Sequence, residues 1–377
     1  LSYFASYKRE VINADQKMYI SNMYIFRCLV VMNVLQIIGL IITKQYIVFL
    51  AIKIIVVLAE NILISKKADK LYPYICEKNN ERISKNDMNK IKKNMLGAVA
   101  YKVGKVGVNA TDNIIISKFI GLVSVGLYSN YRLISTSAST ILNQLCSSVT
   151  ASVGNLGTKN KDKVYSVFNK IYLGGFWLYA LVSVGLLVLL NDFVELWLGK
   201  DFLLSQSIVL LIVLNFFLNG ISSIIAIFRD AFGLYWKGKA KPIVELVVNL
   251  VFSLILVGKF GLFGVLIGTL ISNVFVNLWW EVKILYNDVF LQSLIDYFKM
   301  FLKNFGLMLL SVFLIYAILI IIPINNIYIL FIVKGFLVMI ITNLVFYIAY
   351  RNSDEINFYK NVIKNFKKRK KFKKVCL

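Results

Sequence analysis

The chain has 377 residues, 59% of them hydrophobic, a mean hydropathy of +0.72 and only three prolines, which excludes a soluble domain and indicates an integral membrane protein. Its formal charge is +24 and it has no histidine, the commonest general base and metal ligand. Because the basic residues fall in short loops between apolar runs, the charge reads as orienting spans and touching anionic lipid, not as binding nucleic acid.

In chain order, the first residues to Tyr7 read as the end of an earlier span, and nothing here resembles a signal peptide. Lys8 to Ser21 reads as a polar loop. Asn22–Ile42 and Tyr46–Ile64 are spans joined by a tight turn, with Arg27 in the first and Lys53 and Glu60 in the second. Lys53 and Glu60 are seven residues apart and share a helix face, so they are either a structural pair or, for Lys53, a cavity cation. Ser65–Asn94 is a mixed-charge segment with a short surface helix expected at Lys85–Lys93. Two polar spans follow, Met95–Ser117 and Val125–Gly154. Then come Ile171–Leu190, an outer loop at 191–202, Leu203–Phe228, a polar loop to Pro242, and a hairpin of Ile243–Gly258 with Gly261–Trp280. Glu281–Lys303 reads as an amphipathic connector, Asn304–Pro323 and Ile327–Tyr350 as a last hairpin, and Arg351–Leu377 as a basic tail. The apolar runs are continuous, which excludes a β-barrel, and each is about long enough to cross roughly 30 Å of hydrocarbon as a helix. The fold class is all-α, a polytopic helical bundle of ten spans.

Placing the first loop inside and alternating puts 33 Lys and Arg in inner segments and four in outer ones, with six in the spans. This asymmetry places the C-terminus in the cytoplasm. Cys28, Cys76, Cys146 and Cys376 form no CxxC pair, so neither a disulfide framework nor a zinc site is indicated.

The two polar spans carry the chemistry. In the first, Lys102, Lys105, Asn109 and Asp112 are spaced by three, four and three and lie on one helix face. In the second, Arg132, Ser135, Ser139, Asn143 and Ser147 recur in the same way. Charges inside a bilayer persist where they pair, face water or touch a polar substrate. Lys53, Lys102, Lys105 and Arg132 are the candidate cations of a wet cavity. Asn109, Asp112, Ser139 and Asn143 are its candidate polar lining, with Asp112 able to couple a cation. Each has a plainer reading: Lys102 and Arg132 lie within about two turns of a span end and can snorkel. Asp112 can pair with Lys105 or Lys118, Glu245 can be an interface residue, and Lys334 fits either role. Trp197, Trp279 and Trp280 fit aromatic belts.

Several segments carry a family resemblance: ADQKMY at 14–19, ADKLYPYI at 68–75, TDNIIIS at 111–117, GLYSNYRLI at 126–134, ASVGNL at 151–156 and FRDAFGL at 228–234. Together they resemble Wzx-type polysaccharide flippases of the multidrug/oligosaccharidyl-lipid/polysaccharide exporter superfamily. The resemblance implies a two-lobed, MATE-like transporter of twelve to fourteen helices, with four helices expected before Leu1 in the fourteen-helix pattern. The corresponding division is 1–94 as the end of the first lobe with the central loop, 95–303 as the second lobe, and 304–377 as an extra helix pair with a basic tail.

The resemblance also implies a non-enzymatic flippase in the bacterial cytoplasmic membrane. It would move undecaprenyl-pyrophosphate-linked oligosaccharide units for capsule, exopolysaccharide or O-antigen synthesis. Physically, such a head group needs a hydrated cationic cavity, and Arg forks match phosphate oxygens. Neither a cofactor nor a metal is expected, and no GxxxxGK[ST] sequence is present. Expected partners are the lipid-linked oligosaccharide, anionic lipids, and polysaccharide polymerase and export machinery. The rivals are a MATE-like drug exporter, a peptidoglycan-precursor flippase, a non-transporting scaffold, and a membrane glycan polymerase or ligase. The last is disfavoured by short outer loops and the missing histidine.

Overall fold

The computed structural model describes residues 6–77, 84–159, 163–321, 326–361 and 364, and these residues are helical with no strand among them. The expected span remnant at the start, most of the loop between the spans at 159–163, and most of the basic tail lie outside the described residues. The chain forms two compact units: Leu1–Met88 with Ser148–Asn155, and Asn89–Ser147 with Leu156–Leu377.

In the first unit, α1 (Ser6–Ala14), α2 (Met18–Thr43) and α3 (Tyr46–Leu71) pack together. The expected polar loop at Lys8–Ser21 is mostly helix. It orders because Ile12 is fully buried, and because Lys8 pairs with Asp69 at 2.7 Å and Arg9 with Glu60 at 2.9 Å on α3. Glu60 therefore pairs with Arg9 rather than with Lys53. Between α1 and α2, Asp15 accepts from Lys17 and from the Tyr72 hydroxyl, both at 2.7 Å. The Lys17 ammonium, then the Tyr72 hydroxyl, hold the Asp15 carboxyl below the usual carboxylate range.

The second unit contains α4 (Lys85–Phe119) from Asn89 onward, α5 (Leu122–Ser147), the end of α6 (Thr150–Lys159) from Leu156, and α7 (Val164–Leu198). It continues with α8 (Gln206–Ala231), α9 (Lys241–Ser272), a π-helical continuation (Asn273–Asn277), α10 (Trp280–Leu285), α11 (Leu294–Ile321) and α12 (Ile327–Tyr350). The expected surface helix at Lys85–Lys93 is the first part of α4, continuous with the polar span. The polar span ending at Gly154 breaks at residues 148–149 into α5 and α6. The outer loop at 191–202 is largely helical, since α7 runs to Leu198. The connector expected over Glu281–Lys303 shrinks to a turn: a π-helical segment ends at Phe290, Leu291 takes φ 53°, and α11 starts at Leu294.

At Gly261 the backbone takes φ 56° and ψ −133°, so α9 is two limbs that fold back as an antiparallel hairpin. The Ser253 hydroxyl meets the Val265 carbonyl at 3.3 Å, and Asn249 meets Thr269 at 3.0 Å across it. Seven described helical stretches are long and apolar enough to cross a membrane, and the one spanning Lys241–Phe290 contains this hairpin. α4 and α5 are long enough, at 35 and 26 residues, but too polar to join that set. Counted with them, the hairpin limbs account for the ten expected passes.

Phe168, Tyr172 and Phe176, four residues apart on α7, are fully buried and anchor an aromatic core. Phe168 lies 4.8 Å from Phe290 between ring centroids, and Phe176 lies 5.2 Å from Phe217 on α8. α4 lies close to the turn after α8: a Cβ at Gly97 would come within 2.7 Å of the Tyr235 carbonyl.

Candidate functional site

On α4, Lys102 is exposed and Asp112 is buried at 6% exposure. The side chains of Lys105 and Asn109 lie outside the described residues. Both Asp112 carboxylate oxygens are 3.3–3.4 Å from the Thr269 hydroxyl on the second limb of α9. Thr269 also accepts from Asn249 at 3.0 Å and lies 3.2 Å from the Val265 carbonyl. Lys118 sits over the Phe119 ring, and no ion pair to Asp112 is among its described contacts. Asp112 is thus a carboxylate facing two neutral groups, the Thr269 hydroxyl and the Asn249 amide. No cluster of three or more His, Cys, Asp or Glu that could hold a metal ion exists among the described residues.

Arg132 on α5 is half-buried, and its guanidinium donates to the Asn113 amide oxygen at 3.2 Å, joining α5 to α4. Its positive charge also acts on Asp112. Asp112 and Arg132 thus come together through neighbouring residues of one helix. Further along α5, Ser139 is half-buried, and Asn143 accepts from the Tyr179 hydroxyl of α7 at 2.9 Å. Thr136 and Thr140 are exposed on the same helix, each donating to the carbonyl four residues earlier at 2.8 Å. Lys53 belongs to the first unit, where it is exposed on α3.

The largest polar feature of the second unit is one that the motif reading missed. The first limb of α9 carries Lys241, Glu245, Asn249 and Ser253, and the returning limb and its continuation carry Thr269, Asn273, Asn277 and Glu281, each set spaced by four. That spacing was visible in the sequence and puts each set on one helix face. Asn277 donates to Glu245 at 2.7 Å and to Asn273 at 2.8 Å, and Asn273 donates to Asn215 of α8 at 2.8 Å. At the end of this ladder Glu281, 2% exposed, takes Arg229 at 2.6 Å and Lys241 at 3.0 Å on a single oxygen. The Arg229 guanidinium lies over Tyr101 of α4 at 4.3 Å and over Tyr235 at 5.1 Å. Glu245 is therefore an interface residue, held by Asn277. Lys334 of α12 pairs with Asp192 of α7 at 2.5 Å.

No family model matches the sequence, and no curated protein matches it. Two solved structures are similar in fold. The lipid II flippase MurJ, in an inward closed conformation, superposes with a TM-score of 0.57 at 19% identity, covering 85% of this chain and 66% of that one. An outward-facing MATE-family multidrug resistance transporter of the MOP superfamily superposes with a TM-score of 0.53 at 16% identity, covering 68% and 61%. The chain therefore spans slightly under two thirds of the length of each. Its fold is that of a MATE-like helical bundle.

Proposed function

We propose that this chain is a flippase for undecaprenyl-pyrophosphate-linked oligosaccharide units, feeding the synthesis of a bacterial surface polysaccharide. The observation that carries the reading is the polar face of α4 and α5. There Arg132 is held by Asn113 above a buried Asp112, and exposed hydroxyls follow along α5. A pyrophosphate needs cations, and a glycan needs hydroxyl and amide partners. These helices supply both where a lipid-facing helix would supply neither. Lys102, exposed on α4, adds a cation on the same helix as Asp112. Asp112, with Thr269 and Asn249, holds the coupling cation. Alternating access by rocking of two lobes is the expected motion, and the basic tail rests on anionic lipid on the cytoplasmic side. Polymerase and export machinery take the product.

The shared fold with a protein named as a lipid II flippase favours a lipid-linked head group. A peptidoglycan precursor is therefore the second reading. The intramembrane cations count against the cationic drugs that a multidrug exporter moves.

The test uses cells lacking the native gene, complemented by the full protein with or without Arg132→Ala. The expected result is that the variant inserts normally, surface polymer falls, and complete repeat units collect on the inner leaflet. Normal polymer in the uncomplemented strain overturns the polysaccharide reading. Collapse of peptidoglycan synthesis in that strain selects the second one.

A further inference from the structure

The turn 232–240 joins two stretches that are each apolar enough to cross a membrane, one ending at Ala231 and one starting at Lys241. It therefore sits at a membrane boundary, and it carries Phe232, Tyr235 and Trp236 beside Lys237 and Lys239. α4 reaches the same boundary with Lys90, Lys92 and Lys93, just before its apolar run begins at Met95. Gly97 lets the two backbones touch, and the Arg229 guanidinium under Tyr101 fixes them one turn deeper.

The result is a half-buried Trp236 ring with two ammonium groups near it, Lys239 at 3.4 Å from its centroid and Lys93 at 5.9 Å. Lys237 is neutralised by Asp288 at 2.9 Å. Lys93 and Lys239 are exposed and form no ion pair among the described residues, and the Trp236 indole N–H donates to none of them.

We infer that Trp236, Lys93 and Lys239 form a headgroup site for an anionic phospholipid of the leaflet at the α4 N-terminus. The two ammonium groups meet the phosphate, the indole N–H donates to it, and the aromatic turn lies against the glycerol and first methylenes. Interfacial Trp prefers that depth, and each Lys there attracts anionic lipid. A bound headgroup clamps the base of α4, the helix that carries Lys102 and Asp112, to the turn that begins α9. This site rests on the membrane-spanning fold alone and not on the identity of any transported substrate.

The full chain is reconstituted in vesicles of phosphatidylcholine containing either brominated phosphatidylglycerol or brominated phosphatidylcholine. The Trp236 signal is taken as the difference between wild type and Trp236→Phe. Phosphatidylglycerol is expected to quench it preferentially, with the preference falling about fivefold for each of Lys93→Gln and Lys239→Gln. Lys66→Gln with Lys70→Gln, in the first unit, leaves it unchanged. Native mass spectrometry of wild type and the Lys93→Gln/Lys239→Gln variant counts retained phosphatidylglycerol and gives the same ordering without the Trp variant. Equal quenching by the two lipids overturns the site, as does a preference that survives both lysine substitutions. Loss of the preference on adding millimolar inorganic phosphate overturns the lipid assignment and points to a soluble phosphate ligand.

Discussion

On α5, Arg132, Ser135, Ser139 and Asn143 recur every three or four residues; on the first limb of α9, Lys241, Glu245, Asn249 and Ser253 recur every four. The two stripes look alike in spacing and in residue type, yet the second unit uses them differently. On α9, Lys241, Asn249 and Ser253 are buried, with partners on the returning limb and on α8. On α5 only Ser135 of the four is buried, and its hydroxyl donates back to Tyr131 of its own helix; Arg132, Ser139 and Asn143 are half-buried, and Thr136, four residues after Arg132, is exposed. Periodic polarity therefore identifies a face turned away from lipid. Whether that face is closed by other helices or left open to a ligand is decided by packing. Closed stripes should fail by unfolding and open ones by lost transport.

The largest effect is expected where a closed stripe ends in charge. Glu281→Ala leaves Arg229 and Lys241 buried without their shared carboxylate, at a cost of about 3–5 kcal/mol. Thermal unfolding in detergent should show a large fall or no folded protein at all. Arg229→Met should cost less, because Lys241 still pairs with Glu281. On the open stripe, Arg132→Ala should lower transport about ten- to hundredfold, the loss of one charge-assisted phosphate contact, while the unfolding midpoint stays near wild type. Arg132→Lys keeps the charge without the fork and should fall between the two. Back on the closed stripe, Asn273→Leu removes the donor to Asn215 and the acceptor for Asn277. A cost of about 1–3 kcal/mol is expected, with transport by the folded fraction preserved. If Asn273→Leu instead abolished transport at unchanged stability, the closed stripe would be working as a site and the contrast would break.

The spans and the Gly261 hairpin were legible because long apolar runs and a glycine pair leave few alternatives. The start of α4 was not. Lys85–Lys93 is as charged as a loop, and only its continuity with Met95 onward makes it the base of a 35-residue helix. α1 was missed for a related reason: its order comes from Ile12 packing and from Lys8 and Arg9 reaching α3, contacts more than fifty residues away in sequence. Asp112 and Arg132 could be placed on helix faces, but not the Thr269 and Asn113 partners that fix them. The α9 ladder shows the limit best. Its four-residue spacing is plain, yet it sits inside two apolar spans, so hydropathy masks it until the hairpin closes.

The smallest expected effect tests the open stripe one hydroxyl at a time. Thr136 is exposed, and its hydroxyl donates to the Arg132 carbonyl at 2.8 Å. Its only proton is committed to the backbone, so it can meet a substrate only as an acceptor. A glycan hydroxyl would supply the donor. Thr136→Val keeps the shape and removes the acceptor. Stability should change by no more than about 0.5 kcal/mol, as for other surface positions. The concentration of lipid-linked substrate giving half-maximal transport should rise about two- to tenfold, the worth of one neutral hydrogen bond, with the maximal rate unchanged. Thr136→Ser should restore it, because a serine hydroxyl makes the same backbone bond. If Val and Ser behave alike, the hydroxyl serves the helix and not the ligand, and the open stripe narrows to Arg132 and its neighbours on α4.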